Sequence, residues 1–359
     1  MLPLLKPRTA PDDMLAWIQL IRSPRVGPVN FHRLMKTHGS ATAALAALPD
    51  MAAQAGIKEY AICPPKLAER ELKDAKKRGA KPLLFGAGDY PPLLAQIPDA
   101  PPILWALGQI ELASKSSVTL IGGRDPSSLA LRMAHKLARD LADAGIITLS
   151  GLARGIDTAV HQATEGRGSI AVLPCGLNTT YPAQNTDLAQ ALGQYGLILS
   201  EHPFDAAAQK HQFISRNRIV AGIAPICTVI EAAQNSGSLN CANTAADYGR
   251  EVMAVPGHPL DPRCAGSNQL IKSGAGVVTC VDDILNALPQ TKPVAAAAKP
   301  RPACGDISHD IIQTLRQTPL REDALCRALN ADISALSAAL LRLRMDGQIH
   351  RDPDGVLYI

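Results

Sequence analysis

The period of the apolar positions changes twice along the chain, and the changes mark out its regions. Over residues 12–80 apolar residues recur every three to four positions in short blocks, which predicts helices at Asp12 to Arg22, Val29 to Thr37, Ser40 to Leu48 and Pro65 to Arg78. Ser23-Pro24-Arg25-Val26-Gly27-Pro28 links the first two as a tight turn ahead of a helix whose first N–H groups are free. Two readings stand for it: the phosphate clamp of a helix-hairpin-helix, or a plain Gly-Pro turn in a small packing module. From Lys81 to Gly108 prolines crowd the chain, with pairs at Pro91-Pro92 and Pro101-Pro102, so this stretch is expected to run extended and to join two domains.

Beyond it, short β-branched runs alternate with amphipathic blocks. Strands are predicted around Val118–Ile121, Ile146–Leu149, Ile170–Leu173, Leu197–Leu199, Cys227–Ile230 and Val252–Val255, with helices between them. That alternation predicts an α/β fold: an extended Rossmann-like, doubly wound parallel sheet with both faces covered. Residues 289–305 are Pro- and Ala-rich without a period and read as a linker. After it come three amphipathic blocks, Ile307 to Arg316, Arg321 to Leu329 and Ile333 to Asp346, and then a hairpin, the layout of a winged helix. The expected domains are a small helical one (1–80), a Rossmann-like one (81–288), the linker (289–305) and a winged helix (306–359).

Composition narrows the class. With 359 residues, 47% hydrophobic, 19% charged and 3% aromatic, the chain is neither disordered nor fibrous. Its longest uncharged apolar run, Ile219 to Ile230, is too short for a bilayer and holds Pro225, and the start lacks a signal-peptide layout. The protein is therefore read as cytoplasmic, with no membrane partner. None of the eight cysteines forms a C-x-x-C pair, so neither a metal nor a redox motif is expected. Charge is uneven: residues 1–80 carry +6, residues 81–305 are neutral, and residues 306–359 carry −2. Polyanions are drawn to the front of the chain, and the middle can bind phosphate only by local clustering.

In an open parallel sheet, ligands bind beyond the carboxyl ends of the strands. Those positions hold Gly122-Gly123-Arg124, Ser150 to Asp157 with Gly151, Arg154 and Gly155, Pro174 to Asn178, Ser200-Glu201, Glu231 to Ser238 with Ser236, Gly237 and Ser238, and Pro256-Gly257-His258. Glycines admit backbone close to an anion, helix N-termini offer N–H groups, and arginines add forked donors. Singly, each glycine is equally well a tight turn; together they read as a phosphate-binding rim. Neither a G-x-G-x-x-G after the first strand nor a G-x-x-x-x-G-K-[ST] loop is present, so no nucleotide cofactor is expected.

Lys210, Phe213, Arg216, Asn217 and Arg218 cluster at the start of one helix. Arg216 and Arg218 are two apart and cannot share a face, so one serves ligand and the other structure. Phe213 is either a platform for a base or a core residue; Phe204 and Tyr181 are the other ring candidates. Asp157 and His161 share a helix face and can form an acid–base pair, and Glu201 and Glu231 are read as ending neighbouring strands. A structural reading, with Asp157 capping its helix and His161 bonded to Asp157 or a loop carbonyl, is the stronger. An enzyme resembling nucleoside-monophosphate phosphoribohydrolases is the competing class, but it wants Pro-Gly-Gly-x-Gly-Thr and helix glutamates where this chain has Asn235-Ser236-Gly237-Ser238-Leu239.

These loops resemble the DNA-processing protein A (DprA/Smf) family. The resemblance is carried by Tyr90 to Leu94, Gly122-Gly123-Arg124, Ser150 to Asp157 with His161, Tyr181 to Asn185, Ser200-Glu201, Phe213 to Gly222, Ser236-Gly237-Ser238, Ala254 to Gly257 and Gly266 to Ala275. It implies a non-catalytic protein that binds single-stranded DNA, dimerises and loads RecA in natural transformation. Carried over, the pocket uses Arg124, Arg154, Phe213, Arg216 and Arg218, shaped by the glycines and serines above. The family commonly has a hydroxyl residue at Gly123 and Leu-Ile-Thr where Leu239-Asn240-Cys241 stands here. Leu260, Leu270 and Ile271 are the candidates for an apolar dimer patch, or else are ordinary core.

Overall fold

Nine strands in one sheet organise most of the chain in a computed structural model, which describes residues 11–289, 308–317, 319–329, 333–352 and 356–358. Four helices come first: α1 (Pro11–Arg22), α2 (Pro28–His38), α3 (Ala41–Gln54) and α4 (Pro65–Arg78). α3 runs six residues beyond the stop expected before Pro49, which sits inside the helix. The strands are β1 (Lys81–Leu84), β2 (Ile103–Gly108), β3 (Ser117–Ile121), β4 (Ile147–Ser150), β5 (Ser169–Val172), β6 (Leu197–Ser200), β7 (Ile226–Val229), β8 (Glu251–Ala254) and β9 (Gly276–Val277). They lie in the order β1-β2-β6-β5-β4-β3-β7-β8-β9. β3 to β9 are parallel, and β2 pairs antiparallel with β6 and with β1.

The Pro-rich stretch 81–108 is therefore no mere connector, as its prolines suggested; it contributes β1 and β2 to the sheet. Pro82 is tolerated because β1 is an edge strand and needs no N–H on its free side. Between the parallel strands run α5 (Ser128–Asp143), α6 (Ile156–Ala163), α7 (Thr186–Tyr195), α8 (Lys210–Ile223), α9 (Gly237–Asp247) and α10 (Ala265–Lys272), with α11 (Val281–Ala287) after β9. One face of the sheet packs Leu149, Val172 and Val229 against Ile219, Val220 and Ile223 of α8 and Ala242 and Ala245 of α9. The other packs Val118 and Leu120 against α5 and α6, and Trp105 and Ile198 against α1, α4 and α7.

The front helices are joined to the sheet by a buried seam. Glu71 of α4, 6% exposed, accepts Arg22 Nε at 2.9 Å and Nη2 at 2.7 Å, and also the indole N–H of Trp105 at 2.7 Å. His32 bonds Ala100 O at 2.8 Å, and burial lowers its pKa. Residues 11–289 thus lie within one unit, and the C-terminal region forms a second.

That second unit holds α12 (Ser308–Gln317), β10 (Leu320–Arg321), α13 (Glu322–Leu329), α14 (Ile333–Met345), β11 (His350–Arg351) and β12 (Val356–Tyr358), with its strands in the order β10-β12-β11 around a core that includes Leu325, Leu340 and Leu357. It is a winged helix, with β10 added to the expected elements. Of the predicted linker, 289–305, all but residue 289 lies outside the described residues. Among the described residues no helix is long and apolar enough to cross a membrane.

Candidate functional site

The direction of winding reverses between β3 and β7, which lie side by side at the middle of the sheet. The loops leaving their carboxyl ends diverge there and open a cavity of about 1000 Å³. Its wall is three backbone segments in close contact: Gly123 N donates to Glu231 O at 2.7 Å, and Ile156 N donates to Gly123 O at 3.2 Å. Gly155 permits this approach. Its φ is +83°, and a Cβ there would stand 2.4 Å from Gly123 O.

Arg216 lies in the floor. It is 5% exposed, and its Nη1 donates to Gly151 O at 2.6 Å and Val172 O at 2.8 Å. A side chain at Gly151 would overlap the guanidinium, because its Cβ would fall 1.8 Å from Nη1. Asp157 accepts the N–H groups of Gly151 at 3.1 Å and Ala153 at 3.3 Å and so clamps the same loop. Burial pushes its carboxyl upward, opposed by Arg216 and by these bonds. Arg216 therefore organises the floor through carbonyls and a buried acid.

The mouth is built differently. Arg124 is exposed, and its guanidinium sits 5.2 Å from the centroid of the Phe213 ring, which meets Tyr181 edge-on at 5.1 Å. Lys210 is exposed at the first position of α8 and also lines the cavity. Asn217 donates to Gly237 O at 3.2 Å, and Ser236 caps α9 by accepting Ser238 N at 3.2 Å, so the helix N-terminus faces the opening. Arg154 is exposed in an adjoining cavity of about 390 Å³ that shares Arg124, Ala153 and Tyr181 with the first. Arg124, Arg154 and Lys210 form no ion pair among the described residues. Of the acids in the lining, Glu231 is engaged, accepting Ser127 N at 2.8 Å and Ser127 Oγ at 2.6 Å, while Asp125 is exposed next to Arg124.

Several expected residues lie elsewhere. Arg218 is absent from the cavity lining, because the two-residue offset turns it to the opposite side of α8, where it pairs with Glu201 and, at 3.4 Å, with Asp99. Phe204 is 1% exposed and packs on Trp105, so it is core. Glu201 and Glu231 do not end neighbouring strands; β5, β4 and β3 separate β6 from β7. His161 is bonded to Ser169 Oγ at 2.5 Å rather than to Asp157, and burial together with Arg216 lowers its pKa to about 3. It is neutral near pH 7 and outside the cavity lining. Leu270 and Ile271 pack half-buried against the core, while Leu260 is 86% exposed. Arg263 lines the cavity although sequence reasoning passed over it, and its ion pair with Asp261 at 2.8 Å occupies part of its fork. Its place in the loop after β8 was the available signal.

A doubly wound sheet with unpaired cations and a ring pair at its switch point defines a Rossmann-like α/β protein with an anion-attracting crevice. The chain belongs to the family of DNA recombination-mediator protein A, DprA, whose model matches residues 81–289. The DprA-like N-terminal HHH domain matches residues 11–74 and the DprA winged helix domain residues 294–355. Among curated relatives, the DNA processing protein DprA of Bacillus subtilis is 35% identical over 230 residues, 63% of this chain and 77% of that protein. Protein Smf of Escherichia coli is 40% identical over 202 residues, 55% of this chain and 54% of its own length. The structure of DprA from Streptococcus pneumoniae aligns with a TM-score of 0.65 at 30% identity, over 76% of this chain and 98% of that one. DprA from Helicobacter pylori, whose structure concerns its single-stranded DNA binding mode, aligns with a TM-score of 0.54 at 28% identity, over 58% of this chain and 94% of that one.

Proposed function

We propose that the crevice binds single-stranded DNA without regard to base sequence, and that the protein shields the strand and promotes its loading with RecA during uptake and recombination. The observation that carries this reading is the mouth: Arg124 lies over Phe213 beside Tyr181, with Lys210 and Arg154 unpaired close by. A single strand offers phosphates to the cations and unstacked bases to the rings, and any base has a face to stack, so such a site is tolerant of sequence and sensitive to salt. Gly122, Gly123, Gly151 and Gly155 shape the wall, while Asn217, Ser236, Gly237 and Ser238 supply polar contacts at the start of α9. Arg216 acts from beneath by holding the floor. The reading is of a binding protein and not an enzyme: the Asp157 carboxylate is held by backbone N–H groups and His161 is a buried neutral ring bonded to Ser169, so these two do not form an acid–base pair at the crevice. One crevice holds few nucleotides, so a homodimer that presents two of them to one strand gains affinity through effective concentration. Exposed Leu260 is the patch proposed for that contact.

Arg124→Ala is expected to lower affinity for oligothymidine about tenfold or more, with a shallower salt dependence and an unchanged circular dichroism spectrum. Mobility-shift titrations at two salt concentrations measure it, and unchanged binding would remove the crevice as the site.

A further inference from the structure

α4 carries a row of four cations, three of which form no ion pair among the described residues. Its buried face is Ala68, Glu71 and Ala75, and on the solvent side Lys66, Arg70, Lys73 and Lys77 follow at i, i+4, i+7 and i+11. At 1.5 Å per residue the row is about 17 Å long. Lys76, Lys77 and Arg78 stand in the last turn, where the helix dipole favours positive charge. Lys66 is in the first turn, which holds no acid and where the dipole opposes it. Lys66–Arg70 and Lys73–Lys77 are like-charged pairs one turn apart, which weaken a helix, while Arg70 pairs with Asp74 at 3.7 Å and Glu69 stands one turn before Lys73, which support it. Lys66, Lys73 and Lys77 form no ion pair among the described residues.

The row has a definite place in the molecule. Arg70 is bonded to Asp205 at 3.0 Å, and Asp205 belongs to the loop that leaves β6 and runs on to Ala208 and Lys210, both in the lining of the crevice. Five residues of chain span at most about 18 Å, so the row begins close to where the crevice rim ends. α4 has no aromatic residue, so the surface offers charge without stacking. Its lysines are point charges on flexible stems, suited to following a mobile backbone.

We propose that Lys66, Lys73 and Lys77, flanking the acid-paired Arg70, form a second contact surface for single-stranded DNA, taking the backbone phosphates of nucleotides that leave the crevice past Lys210. This rests on the crevice reading and extends the footprint beyond it. The test compares binding of a fluorescent thymidine 6-mer and 20-mer by the full chain, by a Lys66→Glu, Lys73→Glu, Lys77→Glu triple variant and by the matching triple Gln variant, with circular dichroism as the folding check. Affinity for the 20-mer falls about tenfold or more in the Glu variant and less in the Gln variant, and the slope of log affinity against log salt drops by about 2. Affinity for the 6-mer stays within about twofold, because the crevice alone holds it. Unchanged binding of the 20-mer, as expected of a surface for an acidic protein, overturns the proposal, and so does an equal loss at both lengths. Failure of the unaltered chain to bind the 6-mer overturns the crevice reading instead, while the 20-mer still reports on the row.

Discussion

His161, fully buried beneath the crevice, has no water to hydrate a charged ring, and Arg216 opposes its protonation as well. Its folded pKa of about 3 lies below the 6.5 of a free imidazole. Above pH 6.5 both states are neutral and the group contributes nothing; below it the unfolded chain takes up a proton that the fold excludes. Stability therefore falls as pH drops from 6.5, by about 1.4 kcal/mol per pH unit from this ring. His202, lowered to about 4 by burial and then by Arg22 and Arg218, adds in the same sense. Asp157 and Glu201, whose carboxyls burial raises, act in the opposite one. A His161→Gln variant separates the contributions: between pH 7.5 and 5.5 its urea-unfolding free energy should drop about 1 kcal/mol less than that of the unaltered chain. Identical drops would mean that the ring is protonated in the folded protein.

α8 does two jobs on two faces, one holding the crevice floor and the other tying the sheet to the proline-rich segment. Arg218 is 9% exposed between Glu201 and Asp99, and Tyr248 also donates to Asp99 at 3.0 Å. Arg218→Met leaves Glu201 buried without its cation, which should cost on the order of 3 kcal/mol in urea unfolding while the folded protein keeps its affinity for oligothymidine. Loss of binding at unchanged stability would place Arg218 at the ligand instead. The i, i+2 spacing made the two faces legible in the sequence, but not that both arginines are buried against protein groups where one was expected at ligand, since burial comes from contacts distant in the chain. The parallel strands β3 to β8 were legible from their β-branched runs. β1 and β2 were hidden by the prolines around them, and β9, two residues long, is too short to show a period. Arg124, Lys210 and Phe213 could be found because post-strand loops converge in any doubly wound sheet. Phe204 looked equivalent to Phe213 until its packing on Trp105 separated them.

For the whole molecule, the proposed dimer rests on Leu260, which projects into solvent from the loop after β8. Leu260→Glu should halve the mass measured by light scattering and weaken binding of a long oligonucleotide about tenfold or more, sparing one short enough for a single crevice. An unaltered chain that scatters as a monomer would end that reading. The Glu71 seam bears on how the architecture can change over time. Because the indole of Trp105 and the guanidinium of Arg22 share one carboxylate, the front cannot be exchanged between relatives as an independent cassette. A replacement would have to bring its own acceptor for that indole together with a neutralising partner, or the substitution of one module would force a matching change in the other.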